Sequence, residues 1–98
     1  MCWAGLDRAH RMHKAGFLPS LTLDIDAARA RAAQALLNAT KDGSLRNGPK
    51  DDTYDASLAQ AAILGFPNRD VCESTMQSIA RALAVQTGGK ETGFYFRY

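Results

Sequence analysis

The chain has 98 residues, 46% of them hydrophobic and 22% charged. That is the composition of one globular domain and excludes a low-complexity or disordered segment. A formal net charge of +2, with twelve Lys and Arg interleaved among ten Asp and Glu, excludes a nucleic-acid surface and a polybasic membrane patch. No apolar run approaches the roughly 20 residues that span a bilayer, and no basic-then-apolar leader opens the chain. The compartment is left open, with the cytoplasm slightly favoured.

The first predicted helix runs from Met1 to about Ala15, with Trp3, Leu6, Ala9, His10, His13 and Phe17 near one stripe. Gly16 ends it and Pro19 reinforces the stop. From Asp7 to Lys14 most positions are charged or polar, so the Trp3 end is the buried one. His10 and His13 stand three residues apart on the solvent-bound half, without a third ligand, and no metal site is assigned. Asp7 and Arg8, one turn below Trp3, read as making a structural pair with other inner helices.

A second helix starts at Asp24 or Asp26, either of which can cap it, and continues through the Ala-rich run to Ala39. Ile25, Ala28, Ala32, Ala35, Leu36 and Ala39 form its apolar face, as in a surface helix. Lys41 to Asp52 reads as a loop at the upper end of the usual length.

The third helix covers Thr53 to Phe66 and carries no charge except Asp55. A helix apolar or small on every side is expected to be surrounded by protein. Gly65 supplies the stop, Phe66 folds back on the last turn, and Pro67 prevents continuation. A fourth helix starts after the cap residue Asn68, with Cys72, Met76, Ile79, Ala80 and Leu83 on one side. Gly88 to Glu91 is a break, and Phe94 to Tyr98 reads as an extended, β-prone tail.

The order buried, surface, buried, surface predicts an all-α chain in two layers of antiparallel helices, whose inner members want neighbours beyond these residues. Both ends read as interior sequence, as in a piece of a longer chain. Met1-Cys2-Trp3 stands inside a helical pattern without a cap, and four of the last five residues are aromatic. Cys2 and Cys72 read as small core residues.

In order along the chain stand Met1-Cys2-Trp3-Ala4-Gly5-Leu6-Asp7-Arg8-Ala9, Gly43-Ser44-Leu45, Tyr54-Asp55-Ala56-Ser57-Leu58 with Ile63-Leu64-Gly65-Phe66, and Tyr95-Phe96-Arg97-Tyr98. In these motifs and their order the chain resembles glycoside hydrolase family 15, the glucoamylase-like and trehalase-like enzymes, over nearly its whole length. It departs from the family at Gln60, Ala61 and Ala62, which replace a more leucine-rich stretch, and at Asn47-Gly48-Pro49-Lys50. The resemblance implies part of an (α/α)6 toroid, with a sugar pocket where the inner helices begin. It implies an inverting hydrolase of α-glucosidic bonds, whose two carboxyl groups stand roughly 6.5–9.5 Å apart to admit a water. The family's acid precedes the Met-Cys-Trp helix and its base follows the Tyr-Arg-Tyr segment. No catalytic residue is therefore assigned here, and the chain alone is expected to be inactive.

The partners this implies are an α-glucoside carbohydrate and the remainder of the catalytic domain, with no cofactor, metal, nucleic acid or membrane. Three substrate-binding candidates follow. Asp55 matches an aspartate that binds sugar hydroxyls, the competing role being a carboxylate that favours the helix dipole. Trp3 offers an apolar face to a sugar ring or serves as packing. Arg97 donates to a sugar hydroxyl or pairs with a neighbouring carboxylate. The alternative from another class is a stand-alone helical module that binds a protein through its inner faces and has no enzymatic activity.

Overall fold

The computed structural model describes residues 2–18 and 23–97. Met1, Pro19 and Tyr98, used in the reading above, lie outside them. The chain divides into two units, Met1–Leu37 and Asn38–Tyr98.

The first unit holds α1 (Cys2–Lys14) and nearly all of α2 (Ile25–Asn38). In α1 the buried residues are Trp3, Ala4 and Asp7, and every residue from Arg11 to Phe17 is exposed. The helix closes as the sequence indicates. Gly16 N donates to the His13 carbonyl and Phe17 N to the Met12 carbonyl, the paired bonds of a Schellman ending. Phe17, placed on the apolar stripe by spacing alone, is exposed beyond that ending. Of the two candidate caps on α2, Asp24 accepts from Ala27 N at 3.0 Å. Asp26 lies in the first turn and pairs with Arg29 at 2.8 Å. Only Ile25 of α2 is buried, so this helix draws on alanine propensity more than on an apolar face.

The second unit is built on α4 (Arg69–Leu83). Asn68 caps it by accepting from Val71 N at 3.1 Å. Cys72, Thr75, Ile79 and Leu83 are its buried residues, at the three- and four-residue spacing of one helix face. Met76 and Ala80, expected on that face, are exposed. A short hairpin docks here: β1 (Thr40–Lys41) pairs with β2 (Ser44–Leu45) across Asp42 and Gly43. Both turn residues have positive φ, 53° and 78°, as a two-residue hairpin turn requires. Leu45 and Thr75 are 1% exposed. Thr75 Oγ1 accepts from Leu45 N at 2.8 Å and donates to the Val71 carbonyl at 2.6 Å, so the strand's inward amide is satisfied by a helix hydroxyl. Ser44 Oγ and Ser78 Oγ continue the seam at 2.9 Å.

The chain then leaves α4 directly into β3 (Ala84–Thr87), which turns at Gly88 and Gly89 and pairs antiparallel with β4 (Lys90–Tyr95). The predicted break is thus a hairpin turn, and of the expected β-prone tail Phe94 and Tyr95 lie in β4.

The expected all-α class is corrected. Over the described residues the chain is mixed α/β, 54% helical and 17% strand, with two small antiparallel sheets. The expectation of four alternating inner and outer helices of an (α/α)6 toroid falls with it. Thr53 to Phe66 shows why. The backbone stays extended to Asp55, tightens into a 3-10 helix over Ala56–Ala59, and completes a short α3 over Gln60–Ile63. Neither helix contains a buried residue, and Ile63 is 75% exposed. The cap at Asp55 and the Gly65 stop leave too few residues for a helix that stands by itself, since isolated helices shorter than about 12–15 residues are marginal. The ending is as expected: Gly65 N donates to Ala62 O and Phe66 N to Ala61 O, and Phe66 is buried.

Among the described residues no helix is long and apolar enough to cross a membrane.

Candidate functional site

Asp55 occupies the first corner of the second unit's loop-to-helix junction. Its backbone is extended, φ −127° and ψ 141°, and its Oδ1 accepts from Ser57 N at 2.8 Å to cap the 3-10 helix. This bond with the Ser57 amide, reinforced by the Ser57 hydroxyl and by the Arg97 guanidinium, holds the carboxyl below its usual range. An ionised carboxylate at neutral pH accepts hydrogen bonds and has no proton to give. Asp55 is therefore suited to hold a hydroxyl, and unsuited to act as a general acid.

Arg97 reaches this corner through the hairpin. Phe96 N donates to the Leu83 carbonyl at 2.7 Å, and Ala56 N donates to the Arg97 carbonyl at 2.7 Å, so the strand that leaves α4 comes back onto the start of the 3-10 helix. Arg97 Nε lies 3.9 Å from Asp55 Oδ2, an ion-pair distance too long for a hydrogen bond. The two proposed roles of Asp55 thus fall on different oxygens: Oδ1 serves the helix, and Oδ2 faces a guanidinium without a direct hydrogen bond to it.

Two residues that the sequence reading did not single out border the pair. Tyr54 precedes Asp55, and the Arg46 guanidinium lies 4.2 Å from its ring centroid, within cation–π range. Arg46 is held by its backbone, whose N–H donates to the Ala39 carbonyl at 2.9 Å beyond the first hairpin. The Asp42-Gly43 turn is the sequence signal that could have placed Arg46, because it fixes where β2 ends. The loop between Arg46 and Asp55 is ordered by its own polar groups. Asp51 Oδ1 accepts from Thr53 N at 3.0 Å and from Thr53 Oγ1 at 2.6 Å, which lowers the Asp51 carboxyl, and Lys41 pairs with Asp52.

Trp3 belongs to the first unit and is buried, at 6% exposure. The Asp55–Arg97 pair is formed wholly by residues of the second unit. Near Trp3 along α1, the buried carboxylate of Asp7 meets three guanidinium groups, Arg8 at 2.7 Å, Arg11 at 3.0 Å and Arg29 at 3.3 Å. The pairing expected with other inner helices is instead made within α1 and with Arg29 of α2, the helix read as a surface one. His10 stands 3.7 Å from Asp26. No group of three or more His, Cys, Asp or Glu side chains among the described residues is placed to hold a metal ion. Cys72 is a core thiol raised by burial, whereas Cys2 is exposed and not the core residue expected.

Comparison with protein-family models, with curated proteins and with solved structures finds no match for the chain.

Proposed function

We propose that this chain contributes sugar-contacting residues to an inverting glycoside hydrolase that cleaves α-glucosidic bonds. Asp55 accepts hydrogen bonds from glucosyl hydroxyls through Oδ2, and Arg97 donates to a neighbouring sugar oxygen. The acid and base belong to segments beyond these residues. The observation that carries the reading is the approach of Asp55 and Arg97, 3.9 Å between Oδ2 and Nε, each in a motif that resembles family 15.

The test is Asp55→Asn in the complete gene product. Asparagine caps a helix about as well as aspartate, so the cap survives while the charged acceptor is lost. Turnover of maltose, trehalose or soluble starch should fall by about tenfold or more, the scale of a lost hydrogen bond to a charged group, with Tm nearly unchanged. Wild-type kinetics at normal Tm would refute the role.

A second reading, a protein-interaction module without enzymatic activity, is favoured by the exposure of Phe94, Tyr95 and Phe96. Stable complex formation by the chain, lost on Phe94→Ser and accompanied by no glucoside turnover in the complete product, would establish it over the enzyme.

A further inference from the structure

Asn47 opens the loop that ends at Asp55, and its side chain starts a one-way relay of hydrogen bonds. Asn47 Nδ2 donates to Thr53 Oγ1 at 2.8 Å, and Thr53 Oγ1 donates its own proton to Asp51 Oδ1 at 2.6 Å. The backbone follows the same pairing, with Asn47 N donating to Thr53 O and Asp51 N to Gly48 O, both at 3.2 Å. Asn47 is exposed, and the residue after it is Gly48, where no atom stands within 4 Å of an added Cβ.

We propose that Asn47 is a site of spontaneous deamidation, and that its conversion releases the loop leading into Asp55. The Gly48 amide nitrogen attacks Asn47 Cγ, forming the C–N bond of a five-membered succinimide. Ammonia leaves with the amide proton, and water then opens either imide C–N bond to give aspartate or isoaspartate. No oxidant, reductant or cofactor enters. Glycine is the residue that least obstructs this ring closure, having no Cβ. The other two asparagines are less apt: Asn38 precedes Ala39, and Asn68 precedes Arg69 while its Oδ1 caps α4.

The relay is what makes the change consequential. The amide at position 47 is a donor, and a carboxylate there only accepts. The Thr53 hydroxyl has one proton and already gives it to Asp51, so two carboxylates would compete for it and the link between the two ends of the loop would be lost. The isoaspartate product also lengthens the backbone between Asn47 and Gly48, which displaces the bond from Asn47 N to Thr53 O.

The folded chain is aged at neutral and at mildly alkaline pH, digested, and its peptides weighed and tested for isoaspartate. Conversion should occur at Asn47 ahead of Asn38 and Asn68, be faster at the higher pH because the attacking amide must lose its proton, and be suppressed in Gly48→Ala. The added methyl fits without collision, so that variant keeps the fold. Asn47→Asp, made directly, should lower Tm by about 4–8 °C, the shift expected for a loss near one hydrogen bond in a domain of this size. An Asn47 that persists in the folded chain while the denatured chain converts it would overturn the site, showing that the Thr53 bonds protect it. A Tm unchanged by Asn47→Asp would overturn the release of the loop.

Discussion

Two stretches of the second unit look equally helical in sequence and fold differently. Arg69–Leu83 becomes a continuous helix, whereas the residues from Thr53 to Phe66 break into extended chain, a 3-10 turn and a single short helix. The first carries Cys72, Thr75, Ile79 and Leu83 on one face and has β2 and the 3-10 helix packed against it. The second has few charges but no stripe, and its most apolar residue, Ile63, faces solvent. A lack of charge therefore does not amount to burial. What orders a helix is a face with something opposite it.

The sharpest way to break this contrast is to empty the seam under α4. Leu45→Ala removes a fully buried side chain and should destabilise by about 2–5 kcal/mol in denaturant unfolding. A loss below about 1 kcal/mol would mean that the hairpin does not hold the helix. Thr75→Val keeps the shape but leaves the buried Leu45 amide without its acceptor, at a cost of about 1–3 kcal/mol. The two caps extend the comparison. Asn68→Ala should cost about 1 kcal/mol, because α4 starts there. At the foot of the scale, Ile63→Ala should change stability by no more than about 0.5 kcal/mol. A cost near that of Leu45→Ala would restore the buried helix that the sequence suggested.

Acidification probes the other cap. The Asp55 carboxyl is held below the ordinary value of about 3.9. A carboxyl whose folded value is depressed contributes stability that is fully present above the unfolded value and is lost as pH falls through the folded value. Asp55→Asn should flatten that acid limb and leave stability at neutral pH nearly as it was. An acid limb identical to that of the unaltered chain would show that Asp55 holds no titrating bond in the folded state. Thiol labelling gives an independent view of packing: Cys2 should react in the native chain and Cys72 only on unfolding.

Helix ends were the most legible part of the sequence. Gly16, Gly65, Asp24 and Asn68 each mark a stop or cap by local chemistry that needs no distant partner. The hairpins were obscured because β1 and β2 have two residues each, too few to show alternation, although Asp42-Gly43 and Gly88-Gly89 carry the turn signal. On α4 the buried face includes a hydroxyl, so a reading that counts only apolar side chains selects Met76 and misses Thr75. The candidate site divides along the same line. Asp55 and Arg97 could be named one at a time from motifs, but their pairing depends on the return of β4, which only the hairpin reveals.

Cleavage stereochemistry tests the functional account most directly. The complete gene product is given maltose, and the glucose anomer released first is followed by NMR before mutarotation equalises the two forms. An inverting hydrolase of an α-linked substrate releases β-glucose, and Asp55→Asn should slow that release while keeping its stereochemistry. Initial release of α-glucose, or no cleavage of any α-glucoside by a folded complete product, would contradict it.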